Sequence, residues 1–144
     1  MTIAEAARRT NEAVAGIDNQ IDVILNEIEP EIVAMQTDRL FEGLTVSGDR
    51  IIPEYTPYTV SEKQSKNQPS DRVTLLDTGA FYNAIYAAKI GDEVIIESGD
   101  EKNDELLEKY GEQIFGLTDD NSDKSKEITT GKIIGYVKEV TGFN

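Results

Sequence analysis

The chain has 144 residues with 28 acidic and 14 basic side chains, a formal net charge of −14, and neither cysteine nor histidine. Its length suits one domain with a core of its own. The acidity argues against direct binding of nucleic acid, which needs a concentrated basic face, and against binding to anionic membranes. Without cysteine or histidine there are no disulfides, thiol nucleophiles, thiolate zinc sites or imidazole bases.

No apolar run is long enough to span a bilayer, and the first residues lack the pattern of a signal peptide because Glu5 lies among them. We therefore expect a protein that is made in a cytoplasm and stays soluble there.

Residues 1–43 are expected to form an N-terminal helical segment. Thr2 and Glu5 have the spacing of a capping box, and apolar residues then recur at intervals of three and four. Pro30 predicts either a kink in one long helix or a junction between two helices. Gly43 is typical of a helix end.

Residues 44–118 are expected to form a sheet-bearing core. Short extended runs predict strands at residues 50–52 and 72–76. Residues 88–90 and 93–96 flank Gly91 and Asp92, which are turn residues at the position of a tight hairpin. Residues 61–70 contain no apolar side chain except proline, and this predicts an exposed loop.

The segment 71–89 is expected to lie at the centre of the core. Asp77, Thr78 and Gly79 follow the run 72–76, and Asp or Thr immediately before an apolar run is typical of a helix start. The apolar residues that follow are spaced by four, which predicts two adjacent columns on one helix face. These columns are Phe81 with Ile85 and Tyr82 with Tyr86.

The second half is expected to be mainly helical. Ser98 and Glu101 form a second capping-box pattern before a short helix that ends at Gly111. Residues 119–144 form a C-terminal helical segment, in which a polar stretch precedes the last helix. Residues 97–127 hold eleven acidic and four basic side chains, a net charge of −7. This stretch is either a solvated face or a contact for a basic groove on a partner.

The sequence contains no convincing catalytic or metal-binding pattern. Asp119, Asn121 and Asp123 have the spacing of a calcium loop, but Lys124 and Thr130 occupy the positions that require glycine and glutamate. Without histidine, a serine triad lacks its usual base. We expect no catalytic residue, no metal and no cofactor, and hence no enzyme. A carboxylate metal enzyme remains a third hypothesis, which predicts tight binding of divalent ions.

Three motifs in order resemble the virion-morphogenesis family, the tail-completion and neck proteins of tailed phages. The first is a glycine–strand–proline–tyrosine segment over residues 48–66, with Tyr55 and Tyr58. The second is a Leu-x-x-Thr-Gly-x-Phe turn at residues 75–81. The third is an apolar segment followed by acidic residues at 114–120. Together they cover roughly residues 40–130.

The resemblance implies an α+β domain over residues 1–144, with a small twisted antiparallel sheet flanked by a long N-terminal helix and a C-terminal helix. It implies a structural virion protein that forms part of a multi-copy ring at the head–tail junction or upper tail. The expected partners are copies of itself and neighbouring portal, connector and tail proteins, with no membrane and no specific nucleic acid. The protein would be made in the bacterial host cytoplasm and reside in the virion.

Candidate interface residues follow from the enrichment of tyrosine at interfaces and from the tendency of loops to make contacts. They are Tyr55, Tyr58, Lys63, Lys66, Asp119 and Asp120. An alternative function is an acidic cytoplasmic adaptor, or an inhibitor that mimics nucleic acid, in which residues 97–127 bind a basic partner.

Overall fold

The computed structural model describes residues 1–144 and confirms the predicted fold class. The chain is α+β, with a long N-terminal helix, a two-stranded antiparallel sheet and a C-terminal helix. No helix is both long enough and apolar enough to cross a membrane. The elements are α1 (Ile3–Phe41), α2 (Pro57–Ser65), α3 (Ala80–Asn83), β1 (Ile85–Ile90), β2 (Glu93–Ser98), α4 (Asn103–Tyr110), a 3-10 turn (Glu112–Ile114) and α5 (Asp119–Thr141).

Helix α1 is a single helix of 39 residues that continues through Pro30, and at 1.5 Å per residue it is about 58 Å long. The Thr2 side chain accepts a hydrogen bond from the Glu5 amide at 3.0 Å, as the capping box predicts. The Glu5 carboxylate binds Arg9 instead of returning to Thr2. Beyond the helix end, Gly43 has a φ of +78°, which favours glycine.

Helix α5 runs antiparallel to α1 and packs extensively against it. Lys132 of α5 forms an ion pair with Glu27, near the middle of α1, at 2.9 Å. Arg9, near the start of α1, donates to the carbonyl of Thr141, the last residue of α5, at 3.3 Å. The two ends of the chain therefore lie together along one helix pair.

The predicted hairpin is confirmed and is longer than expected. Strands β1 and β2 pair from Ile85 opposite Ser98 to Ile90 opposite Glu93, across the turn at residues 91–92. The prediction that Ile85 and Tyr86 belong to a helix is wrong, because α3 ends at Asn83. The next residues alternate between buried and exposed, which is the two-residue period of a strand.

The strand predicted at residues 72–76 is absent. The Tyr55 hydroxyl accepts from the amides of Thr74 and Leu75 at 3.0 and 3.2 Å, and the Tyr82 hydroxyl donates to the Thr74 carbonyl at 2.5 Å. Leu75 has a φ of +61°, outside the strand region. Tyrosine side chains therefore satisfy this backbone, and no neighbouring strand is needed.

The strand predicted at residues 50–52 is also absent. Only one bridge forms, between Leu44 and Arg50. The Thr45 amide donates to the Asp49 carbonyl at 2.8 Å. This segment closes a turn on itself and has no second strand beside it.

Three predicted boundaries are wrong at the starts of helices. Residues 61–65 belong to α2 and not to a loop, because Thr56 caps this helix and Pro57 occupies its first position. Ser98 lies in β2, where its hydroxyl donates to the Phe81 carbonyl, so α4 begins later than the capping-box pattern indicates. Thr118 caps α5, and the polar stretch after it is therefore helical.

One buried apolar cluster joins α1, the hairpin and the chain between them. Ile24, Ile28 and Ile32 of α1 contribute to it together with Phe81 and other residues as far as Ile114. The predicted centre of the core is confirmed in part. Phe81 and Ile85 are buried, Tyr82 is half-buried and Tyr86 is exposed.

Candidate interaction sites

A cleft of about 540 Å³ lies between α2, α4 and the segment that contains α3. We call it the lysine cleft, because three lysines line it. Apolar and aromatic side chains form one part of its wall and charged side chains form another. It is lined by Tyr55, Thr59, Glu62, Lys63, Lys66, Leu75, Asp77, Thr78, Ala80, Phe81, Asp100, Glu101, Lys102, Leu106 and Tyr110.

Lys63 is the buried cation of the lysine cleft, with only 8% of its surface exposed. Its ammonium donates to the Leu76 carbonyl and lies 5.4 Å from the centre of the Tyr55 ring. None of the ion pairs in the structure includes Lys63. Its charge is therefore held by one carbonyl and one aromatic face.

The other two lysines of the cleft share one carboxylate. Lys66 Nζ lies 2.7 Å from Asp77 Oδ1, and Lys102 Nζ lies 3.2 Å from Asp77 Oδ2. The hydrogen bonds from Lys66 and Lys102 lower the pKa of Asp77, and the hydrogen bond to Asp77 raises the pKa of Lys66. These groups neutralise one another at the mouth of the cleft, where all three are exposed.

Two tyrosines connect the cleft to the backbone behind it. Tyr55 lies beside Lys63 and accepts from the amides of residues 74 and 75. Tyr82 donates to the carbonyl of Thr74. Burial raises the pKa of Tyr82 well above its ordinary value, with a smaller contribution from Tyr55. Tyr82 is therefore a hydrogen-bond donor throughout the neutral range.

The structure brings together three of the six candidate interface residues. Tyr55, Lys63 and Lys66 all line the lysine cleft. Tyr58 lies on α2 outside the cleft, and its exposed ring places the hydroxyl 3.1 Å from Glu62 Oε1. Asp119 and Asp120 are exposed in the first turn of α5, and they line neither this cleft nor the groove described below.

Sequence reasoning missed Asp77 and Lys102, which complete the lysine cleft from other segments. The sequence does contain a signal for the part of the lysine cleft that α2 forms. Thr56 and Pro57 are a typical helix start, and the helix that follows places Thr59, Glu62, Lys63 and Lys66 on one face. No local pattern indicated which side chains would meet that face.

A second depression, of about 670 Å³, lies between α1, β2 and α5. We call it the apolar groove, because most of its lining side chains are hydrophobic. Polar side chains of α5 form one edge. It is lined by Ile21, Ile24, Leu25, Ile28, Ile32, Lys89, Val94, Ile95, Ile96, Phe115, Gly116, Leu117, Ser122, Ser125, Lys126, Thr129 and Thr130.

A buried polar network fixes one wall of the apolar groove. Arg39 donates to the carbonyls of Leu44, Ile114 and Gly116 at 2.6, 2.7 and 3.3 Å. Gln36 donates to the Ile114 carbonyl and accepts from the Gly116 amide. Burial lowers the pKa of Arg39 to about 10, so its guanidinium stays charged at neutral pH. The network attaches the segment before α5 to the end of α1.

Neither depression contains three or more acidic side chains arranged to hold a metal ion, and no such group occurs elsewhere in the structure. No protein-family model, curated protein sequence or solved structure matches the chain.

Proposed function

We propose that this chain is a structural virion protein of a tailed phage, and that it works as one subunit of a multi-copy ring at the head–tail junction or upper tail. Its partners in this role are copies of itself and the portal, connector and tail proteins beside it. The role requires no catalysis and no cofactor. The oligomeric part of the proposal is supported by the chain's surface, and the phage part by the three ordered motifs in residues 48–120.

The observation that carries the proposal is the size of the exposed surface. The chain exposes 9165 Å², whereas a compact monomer of 15.9 kDa exposes about 7,400 Å². The excess is about 1,800 Å², and a subunit buries about 800 Å² in each interface of ordinary size. A ring subunit has two neighbours, so two such interfaces account for the excess.

The character of this surface also supports assembly. The apolar groove is wide and lies open beside β2, and Val94 on its edge is half exposed. Contiguous apolar surface on a soluble protein is typical of an interaction site. Binding of a neighbour would bury the groove.

The negative charge suits a protein that stands beside a DNA channel. A net charge of −14 repels the phosphate backbone and would keep the genome from adhering during passage. Replacement of the acids in residues 97–127 by amides should then slow genome packaging or ejection. Unchanged packaging and ejection would contradict this part of the proposal.

Mass spectrometry of purified particles tests the proposal directly. The chain should be present at a fixed low copy number relative to the major capsid protein, which serves as the internal standard. Particles that contain DNA but lack the chain would contradict the virion role.

A pair of variants tests the apolar groove. Val94→Asp places a charge on the groove edge and should prevent assembly without unfolding the chain, because Val94 is half exposed. Ile90→Asp changes a comparably exposed residue of the same hairpin that does not line the groove. Equal assembly of the two variants would show that the groove is not an interface.

The alternative function, an acidic inhibitor or adaptor, is favoured by one observation. Of the eleven acidic side chains in residues 97–127, all except Asp100 are exposed. They are distributed over β2, the turn that follows it, α4, the 3-10 turn and α5. Binding to a basic partner would weaken steeply as salt is added, and capture of a basic nucleic-acid enzyme in low salt but not in high salt would support it.

A further inference from the structure

The first part of α1 and the last part of α5 form a two-helix arm. We call residues 1–17 and 132–144 together the helical arm. Within it, Arg9 donates to a backbone carbonyl of α5 at 3.3 Å. The hairpin contacts α1 beyond the arm, where Lys89 forms an ion pair with Asp22 at 3.6 Å. The arm therefore covers the side of α1 that faces α5 and leaves other sides of this helix open.

An apolar stripe on α1 runs from the helical arm into the apolar groove. Its members recur at intervals of three, four and seven residues, which is the spacing of one helix face. From the start of the helix the stripe consists of Ile3, Ala7, Val14, Ile17, Ile21, Leu25, Ile28 and Ile32. The last four of these residues line the apolar groove, and the first four belong to the arm. The arm and the groove therefore present one continuous apolar face.

The part of the stripe that lies in the arm is open to solvent. Ile3 is the most exposed large hydrophobic side chain of the protein, at 91%, and Val14 is 65% exposed. Aligned apolar side chains on one face are the anchors by which a helix binds a hydrophobic groove. Because α1 is one continuous helix, Ile3 lies about 27 Å from Ile21 and cannot reach the groove of its own copy. The groove that the arm can enter belongs to another copy.

The distribution of charge also distinguishes the arm from the rest of the chain. The arm holds four basic and three acidic side chains, a formal charge of +1, whereas residues 18–131 hold ten basic and 25 acidic side chains, a formal charge of −15. Two copies that meet through residues 18–131 therefore repel each other, and an arm that approaches this part of another copy does not. The groove lining contains two lysines and no acidic side chain, and the stripe that would face it is uncharged.

We propose that the helical arm of one copy lies in the apolar groove of the next copy, with Ile3 and Val14 packed against the floor of the groove. This inference rests on the oligomeric part of the proposed function and names the contact between neighbouring subunits. Each copy gives its arm to one neighbour and its groove to the other. Such a head-to-tail contact closes into a ring when the rotation permits. It also supplies the two interfaces per copy for which the excess exposed surface accounts.

Sedimentation equilibrium of the purified chain measures the contact. Val14→Asp places a carboxylate in the stripe and should raise the dissociation constant for self-association by about 30-fold or more, because the contact would bury an unpaired charge. Val23→Asp is the matched control. Val23 is half exposed and lies about two and a half turns further along α1, on the side opposite Val14. It adds the same charge to the same helix and should change the dissociation constant by no more than about threefold.

A mixture of two variants identifies the surfaces that meet. Val14→Asp keeps the groove intact, and Val94→Asp keeps the arm intact. At a concentration where the wild type assembles, each variant alone should stay monomeric, whereas an equal mixture should form pairs that contain one intact contact and stop at two copies. Mixing would not restore a contact between two arms or between two grooves.

Three results would overturn the inference. They are a wild-type chain that stays monomeric or stops at two copies, a Val14→Asp chain that associates like Val23→Asp, and a mixture of the arm and groove variants that does not associate. If Val14→Asp loses helix content by circular dichroism, Ile3→Asp at the most exposed position of the stripe takes its place. The mass-spectrometric copy number in particles is independent of these results, so failure of the contact and failure of the virion role remain distinguishable.

Discussion

Arg39 donates hydrogen bonds to three carbonyl groups, of which only that of Ile114 also accepts from Gln36. Its two terminal nitrogens reach the carbonyls of Leu44, Ile114 and Gly116 together, and Gln36 accepts from the same guanidinium at 3.0 Å. A lysine has the same charge but only one nitrogen, and it cannot serve these separate directions. Arg39 therefore determines the position of the segment that precedes α5.

Arg39→Lys should lower the free energy of unfolding by about 3 kcal/mol, because buried acceptors lose their donors. Urea denaturation measures the change. Arg8→Lys is the matched control, since Arg8 is exposed and pairs only with Glu12 one turn away, and it should cost less than about 0.5 kcal/mol. Equal losses in the two variants would show that the fork geometry of Arg39 is unimportant.

Tyr82 should make the stability of the protein sensitive to alkaline pH. Burial raises its pKa, so above pH of about 10 the unfolded chain releases the phenolic proton while the folded chain retains it. The free energy of unfolding must then fall as pH rises through this range. Tyr82→Phe loses the hydrogen bond to Thr74 and about 1 kcal/mol at neutral pH, but its stability should decline less between pH of about 9 and about 11.

Urea denaturation at several pH values measures these slopes. Tyr58→Phe is the control, because Tyr58 is exposed and outside the cleft, and this variant should follow the wild-type slope. Parallel curves for Tyr82→Phe and the wild type would contradict the assignment.

At the scale of elements, Gly16 shows why a residue unfavourable to helices lies inside α1. A Cβ at this position would overlap the Tyr136 hydroxyl of α5, which lies 3.2 Å from the Ala13 carbonyl. Glycine in a helix interior costs up to about 1 kcal/mol relative to alanine. Glycine is present despite this cost because α5 approaches so closely that a side chain at position 16 would not fit.

The effect of Gly16→Ala should therefore depend on Tyr136. In the wild type the substitution displaces the hydroxyl and should be neutral or destabilising. In a Tyr136→Phe background the ring carbon lies 3.5 Å from the new Cβ, an ordinary contact, and Gly16→Ala should stabilise the protein by about 0.5–1 kcal/mol. Thermal unfolding of the four proteins measures this coupling. Additive effects would contradict the proposed packing of Gly16 on Tyr136.

Elements that depend on local signals could be predicted from the sequence. The cap at Thr2, the hairpin at residues 91–92 and the helix end at Gly111 all follow from residues within a few positions of one another. The segment 72–76 could not be predicted, because its amides are bound by the hydroxyl of Tyr55, about twenty positions away. Its residues are typical of a strand, but two of its backbone amides donate to a tyrosine side chain and not to a neighbouring strand.

The two depressions also depend on contacts between distant parts of the chain, and the sequence therefore did not predict them. Lysine at position 63 gives no sequence signal of burial, because lysine is almost always exposed, and only the fold places it under Tyr55. The apolar groove combines residues from 21 to 32, 94 to 96 and 115 to 130. Each part alone is typical of an ordinary core segment, so the opening between them appears only when α5 and the hairpin are both placed on α1.

At the scale of the whole molecule, charge and apolar surface act in opposite directions on assembly. Two chains of −14 repel each other, and salt screens that repulsion over a Debye length of about 10 Å at 0.1 M. The apolar groove contributes an attraction that salt does not weaken.

Self-association should therefore strengthen when salt is raised from about 50 mM to about 500 mM, because long-range repulsion between the chains is the interaction that salt reduces most. Sedimentation equilibrium at several salt concentrations measures this, with Val94→Asp as the control in which the groove contact is lost. The acidic inhibitor predicts the opposite sign for its own complex, since attraction between an acidic and a basic surface falls with salt. A self-association that weakens steadily over this range would mean that ionic contacts, and not the apolar groove, hold the subunits together.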